Sequence, residues 1–131
     1  MAFNSYPKHK YGAKRVEYDH HSFASQLEAA LYKWLKLREQ NGEIRDIKAQ
    51  EAIYLTDARI MFKPDFSYVE NDTNLKIFAE AKGMETTDYR IKRRLWKAYG
   101  PAPLQLYKGS AKNFKLFETV VPGSKNESDS D

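Results

Sequence analysis

Asp65, Glu80 and Lys82 are the residues whose types and spacing offer chemistry most directly. Glu80 and Lys82 lie in Phe78-Ala79-Glu80-Ala81-Lys82-Gly83, a stretch of strand character. Strand side chains alternate between faces, so Glu80 and Lys82 share one face while Ala79 and Ala81 take the other. In Pro64-Asp65-Phe66-Ser67-Tyr68 the same alternation sets Asp65 and Ser67 against Phe66 and Tyr68. The acids are separated by 14 residues, enough for a hairpin-like pairing to set them side by side. Two adjacent carboxylates repel unless a cation lies between them, and oxygen pairs of this kind suit a hard divalent cation. A neighbouring lysine can offset charge that develops on a phosphate. Taken singly, Glu-Ala-Lys is an ordinary surface tripeptide and Pro-Asp a frequent turn entry. Their placement on consecutive strands makes them a candidate centre.

Glu28 adds a third carboxylate. It lies beside Leu27 and Leu31 in a helical pattern, on the flank of an apolar stripe formed by Phe23, Leu27, Ala30, Leu31 and Trp34. Because Phe23 belongs to that stripe, the helix is expected to start with Ser22 as N-cap, which leaves Glu28 able to lean toward the sheet. The competing reading is a capping box over Ser25-Gln26-Leu27-Glu28, with Glu28 serving only the Ser25 amide. Gln50 lies where a strand could face the same cleft. His20 and His21 precede the helix with no third ligand at a recognisable spacing, so a turn or cap role is expected of them.

The elements that must position these residues follow from the periodicities. Helices are expected over 22–41, stopped by Asn41-Gly42, and over 87–99, capped by Thr87 and ended by Gly100-Pro101. The second has Ile91, Leu95, Ala98 and Tyr99 as its apolar stripe. Between them lie one or two strands over 44–55, a strand over 59–69 interrupted or entered at Pro64, and another over 75–82. A further strand is expected over 103–108, and 114–121 reads equally as strand or short helix. The order α-β-β-β-α-β describes an α/β domain with a mixed central sheet flanked by helices. Its expected limits are a basic arm over 1–19, the folded domain over 20–121 and a disordered acidic tail over 122–131.

Charge suggests the partner. The chain of 131 residues carries a formal net charge of +4. The tail from Ser124 holds one lysine against three acids, so the body is more basic than the total. Lys8, Lys10, Lys14 and Arg15 enter the first 15 residues without an acid. In the second helix Arg90, Arg93, Arg94 and Lys97 form a stripe at helical spacing, with Lys92 beside it. A one-sign stripe suits phosphates, although a solvated face is the ordinary alternative. No apolar run approaches the ~20 residues of a membrane span, no signal-peptide pattern opens the chain, and no cysteine is present for disulfides or thiolate metal sites. These features suit a cytoplasmic protein without a membrane partner.

The sequence resembles the PD-(D/E)XK nuclease superfamily, and within it small phage and prophage resolvase-like endonucleases. The resemblance runs from about Val16 to Lys108 and rests on Phe23-Ala24-Ser25-Gln26-Leu27-Glu28, Gln50, Pro64-Asp65-Phe66-Ser67-Tyr68, Glu80-Ala81-Lys82-Gly83 and the basic segment from Thr86 to Trp96. It implies a restriction-endonuclease-like core. Asp65 and Glu80 become metal ligands, Glu28 a third, direct or through water, and Ala81 a member of the metal-binding set. Lys82 is the implied catalytic lysine and Gln50 a residue near the site. The implied cofactor is Mg²⁺, with Mn²⁺ substituting. The implied substrate is branched DNA, Holliday junctions above all. The rival expectations are another nuclease of the superfamily (restriction-type, transposase-end or flap), a catalytically idle DNA-binding module, and a structural nucleoid or packaging protein. The sequence departs from the resemblance at His20-His21, where a Gly-bearing turn is expected. A homodimer is also expected, because one carboxylate pair per chain must serve two strands. Trp34, Leu37, Trp96 and the 114–121 segment are the candidate apolar surface.

Overall fold

Asp19 and His20 both adopt left-handed backbone angles, φ 56° and 64°. That is what a two-residue hairpin turn of the mirror-image type requires of its central positions. They join β1 (Val16–Tyr18) to β2 (His21–Phe23), so this turn is built without the glycine expected there, and its first strand lies within the stretch read as an arm. The structure, a computed structural model, describes residues 15–83 and 87–123. Lys8, Lys10, Lys14 and the acidic tail from Ser124 lie outside the described residues.

The first helix, α1, spans Gln26–Gln40 with Ser25 as its N-cap. It starts three residues later than the apolar pattern suggests, because Ser22 and Phe23 pair with β1 instead. The Glu28 amide donates to Ser25 Oγ at 3.0 Å, and Glu28 Oε1 accepts from the Ala24 amide at 2.9 Å. The capping reading therefore holds for the helix start, shifted by one residue on the return bond. The buried face also differs from the expected stripe. It runs through Glu28, Leu31, Tyr32 and Leu35, so Glu28 sits at its centre rather than its flank. Asn41 and Gly42 end the helix as expected, Gly42 taking φ 80°.

Of the one or two strands expected over 44–55, two form, β3 (Ile44–Ala49) and the short β4 (Ile53–Tyr54). Buried Pro64 splits the next expected strand into β5 (Met61–Phe62) and β6 (Phe66–Glu70). β7 is Lys76–Ala81, α2 is Thr87–Tyr99 and β8 is Leu104–Ser110. The undecided segment is a strand, β9 (Asn113–Val120), antiparallel to β8. The main sheet is mixed and five-stranded, in the order β3-β6-β7-β8-β9, and only β7 and β8 run parallel, joined through α2. β4 and β5 form a separate hairpin. The domain is thus α/β, a mixed sheet with two helices.

Strand alternation splits the interior into two cores. Phe66, Tyr68, Ile77, Ala79 and Tyr107 pack with Leu31, Tyr32 and Leu35 of α1. Phe78, Leu104, Leu106 and Val120 pack with Trp96 of α2 and with Leu55 and Phe62. α2 is rotated from its expected pose: Ile91 and Tyr99 are exposed, and Trp96, with no exposed surface, is its anchor. The Trp96 indole donates to Ala102 O at 2.8 Å and lies so close to Gly100 that a Cβ there would meet it at 2.7 Å. The helix therefore stops at a residue that can have no side chain. Among the described residues, no helix is long and apolar enough to cross a membrane.

Candidate active site

The pairing of β6 with β7 sets Phe66 opposite Ala79. Continued by one residue, that register brings Asp65 opposite Glu80, both on the face toward α2. Asp65 precedes the strand proper, and its Oδ2 accepts the Ala81 amide at 2.8 Å, which fixes the carboxylate across the end of β7. Gln50 meets the same residue twice. Its amide donates to Asp65 O at 3.0 Å, and its side-chain Nε2 lies 3.5 Å from Asp65 Oδ1. Gln50 reaches this position through a left-handed φ of 58° just after β3.

The surroundings make this pair electrostatically costly. Burial, reinforced by the charges of Glu28 and Glu80, pushes the Asp65 carboxyl up to about 8. Burial also pushes Glu80 up to about 7, with Glu28 adding to the rise and Lys92 and Lys82 opposing it. The Glu28 carboxyl is raised by burial against the pull of the Ala24 amide and Arg15. Three acids thus share one electrostatic neighbourhood, although Glu28 is itself engaged in capping α1.

Asp65 and Glu80 lie in a cleft of about 450 Å³, walled by Met61, Phe62 and Lys63 on one side and Asp88, Tyr89 and Lys92 of α2 on the other. Lys82 is only 5% exposed, and its Nζ sits 3.6 Å from the centre of the Tyr89 ring. The ring face holds the ammonium by cation–π attraction. Lys92 is the stronger of the two lysine charges acting on Glu80. It also pairs with Asp88 at 3.7 Å, so the cleft holds cations and carboxylates together.

Among the described residues, no group of three or more His, Asp or Glu side chains is placed to hold a metal ion. A cation here would therefore rest on the two carboxylates of Asp65 and Glu80. Mg²⁺ is commonly held by one or two carboxylates, with waters and substrate phosphates completing its shell. The donor set fits such an ion, since positive charge between these acids would offset the burial and the neighbouring negative charge that raise their proton affinity. The Ala81 amide N–H donates to Asp65 and orients that carboxylate, without itself offering a donor atom to a cation.

The basic residues divide. Arg93, expected to face phosphates, turns inward and pairs with Glu118 of β9 through both Nε and Nη2. Arg90 and Arg94 are exposed, whereas Lys97 is half-buried. Arg15 donates to Ser22 Oγ at 3.0 Å and braces the first hairpin near Glu28. His20 lies in the β1–β2 turn, and His21 packs against Tyr32 at 5.3 Å between ring centres. Reading the sequence missed Lys63, Tyr89 and Asp88 as cleft residues. A signal for Tyr89 was present, since it precedes Lys92 and Trp96 at helical spacing, on the inward face that the apolar stripe misassigned.

No curated protein matches the chain. Residues 8–115, most of its length, match the model of one family, described as protein of unknown function (DUF1064). The chain belongs to the DUF1064 family.

Proposed function

We propose that this protein is a metal-dependent endonuclease of the PD-(D/E)XK type, acting on branched DNA, with Holliday junctions as its principal substrate. The observation that carries the reading is the semi-buried Asp65–Glu80 pair at the ends of adjacent strands, in an open cleft that Lys92 also lines, with buried Lys82 held against the cleft residue Tyr89. With the separate β4–β5 hairpin set aside, α1, β3, β6, β7, α2 and β8 follow the order expected from the sequence, which supports the corresponding core.

In this reading Asp65 and Glu80 hold Mg²⁺ or Mn²⁺. Such an ion supplies Lewis-acid charge against the phosphodiester and lowers the pKa of water at the site. The chain's own contribution is orientation and countercharge. The Ala81 amide and Gln50 fix the Asp65 carboxylate, so little reorganisation is needed when a phosphate enters. Lys82, held against Tyr89, supplies fixed positive charge for the negative charge that builds on the phosphate oxygens. Lys92, on the same α2 wall as Tyr89, can contact a phosphate directly once it leaves Asp88. Arg90 and Arg94 extend a basic surface along α2 for the flanking backbone. Two strands of a junction need two such centres, so the active form is a homodimer.

Labelled four-way junction, flap and linear duplex DNA, each incubated with Mg²⁺ or with EDTA, test the proposal. Cleavage of the junction is expected only with Mg²⁺. Asp65→Asn and Glu80→Gln should each lower the rate at least about a hundredfold, as loss of a central charged group does, while binding DNA as well as the wild type or better. A folded Asp65→Asn or Glu80→Gln protein that cuts at the wild-type rate would sink the assignment. Cutting confined to flaps or to one duplex sequence would move it to another nuclease of the same type.

A further inference from the structure

The β4–β5 hairpin leaves the sheet between Glu51 and Pro64 and returns to the edge of the cleft. Its strands pair Ile53 with Phe62 and Tyr54 with Met61. Cross-strand partners share a face. The Ile53–Phe62 pair points inward and packs with Trp96, so Tyr54 and Met61 take the outer face. Tyr54 is 50% exposed and Met61 43% exposed, and the adjoining Ile60 is exposed as well. Scattered apolar residues on a surface need no explanation. These form a cross-strand pair, and the Arg59 guanidinium lies over the Tyr54 ring, 4.3 Å from its centre. The chain holds Arg59 near this ring from a left-handed φ of 60°, with its amide bonded to Thr56 O at 2.7 Å. The platform is also continuous with the candidate active site, because Met61 itself lines the cleft that holds Asp65 and Glu80, followed by Lys63.

A flat aromatic face, a polarizable thioether and two cations describe what a nucleobase and its phosphate recognise together. Bases inside continuous duplex are already stacked and cannot occupy such a face. A base at a branch, fork or single-stranded end can. We propose that Tyr54, Met61 and Arg59 form a stacking platform for an unstacked nucleobase of the strand entering the Asp65–Glu80 cleft. The platform makes DNA with unstacked bases, rather than continuous duplex, the favoured ligand. This inference rests on the nuclease reading for the identity of the polyanion and extends it to the part of the substrate that is recognised. Arg59 and Lys63 favour nucleic acid over a second copy of this basic chain as the occupant.

The test is binding, measured with EDTA present, to forked and linear DNA of equal length carrying 2-aminopurine at the branch or at the matching duplex position. Wild-type protein is expected to prefer the fork and to alter the fluorescence of the branch base on stacking. Tyr54→Ala should lose about tenfold in affinity for the fork, the scale of one base–aromatic stack, and Tyr54→Trp should restore it. Circular dichroism checks that each variant is folded, and the exposed position of Tyr54 leaves the core intact. A folded Tyr54→Ala protein with the wild-type fork-to-duplex ratio overturns the platform. So does a fall in mass by light scattering on the same substitution, which would assign the face to self-association. A wild type that stacks the branch base but cuts nothing with Mg²⁺ supports the platform while removing the nuclease reading. One that cuts junctions but gives no 2-aminopurine response does the reverse.

Discussion

Asp65 and Glu80 keep their protons at pH values where exposed carboxyl groups have lost them. The carboxyl of Asp65 is pushed up to about 8 and that of Glu80 to about 7. In the unfolded chain both return to the ordinary range near 4. Between about pH 4 and pH 8 the folded protein therefore binds more protons than the unfolded one, and its stability falls as the pH rises across that window. Above both folded values the loss is complete. Glu28 adds to the effect in the same direction. Glu51 is held below the usual range by Lys76 and Ser67, so it acts with the opposite sign and only at lower pH. Metal-free protein should thus unfold more readily in denaturant at pH 8.5 than at pH 5.5, and Mg²⁺ should restore part of the loss at the higher pH. Asp65→Asn should raise stability at pH 8.5 by about 0.5–2 kcal/mol, the scale of a single stabilising substitution. Equal midpoints at both pH values in EDTA would contradict the electrostatics described for this pair.

At the scale of the element, α2 performs two tasks on different faces. Its inward face carries Tyr89, Arg93 and Trp96, at the helical spacing that brings one side chain above the next. Arg93 is thereby committed to Glu118, and both side chains retain 27% of their exposure. Arg93→Gln should therefore lower folding stability by about 1 kcal/mol, the upper end for a pair that water still reaches. It should leave the salt dependence of DNA binding nearly unchanged. Neutralising exposed Arg90 and Arg94 should reduce the log–log salt slope by about 0.9 for each phosphate that is no longer neutralised. Titrations of binding against salt, paired with denaturation curves, separate the two roles. An equal drop in slope for Arg93→Gln would mean that the Glu118 pair opens to admit DNA.

For the whole molecule the question is how many centres act together. The sequence suggests surplus apolar surface at Trp34, Leu37, Trp96 and 114–121. Trp96 is fully buried, and Trp34 packs against Tyr107 and Phe114 of its own chain. The remaining candidates are Leu37, Leu116, Phe117 and Val121, each exposed by more than 40%. Three of them lie on or just after β9, an edge strand of the sheet. Edge strands with apolar residues are natural sites for a second chain. Light scattering should give twice the 15.3 kDa chain mass, and Phe117→Asp should return the protein to a monomer that no longer cuts both strands of a junction in one encounter. A monomer at every concentration that still makes paired cuts would dispose of the dimer.

The helices, the strand pair bearing Asp65 and Glu80, the break at Pro64 and the stop at Asn41-Gly42 were all legible in the sequence. Each depends on local periodicity or on a residue with restricted backbone geometry, and such information survives in a short window of chain. The segment 114–121 was not legible, because its pattern suits two elements and only its pairing with β8 decides between them. The hairpin turn at Asp19-His20 was hidden for a similar reason: neither residue advertises a left-handed backbone as glycine does. Rotation of a helix about its axis is likewise a tertiary matter. Both helices turned from their expected stripes, which put Glu28 in the buried face of α1 and Arg93 against the sheet. The residue types of the site were written in the chain. Which of their charges face one another, and which are spent on capping and internal pairing, was decided only when the two layers packed against the sheet.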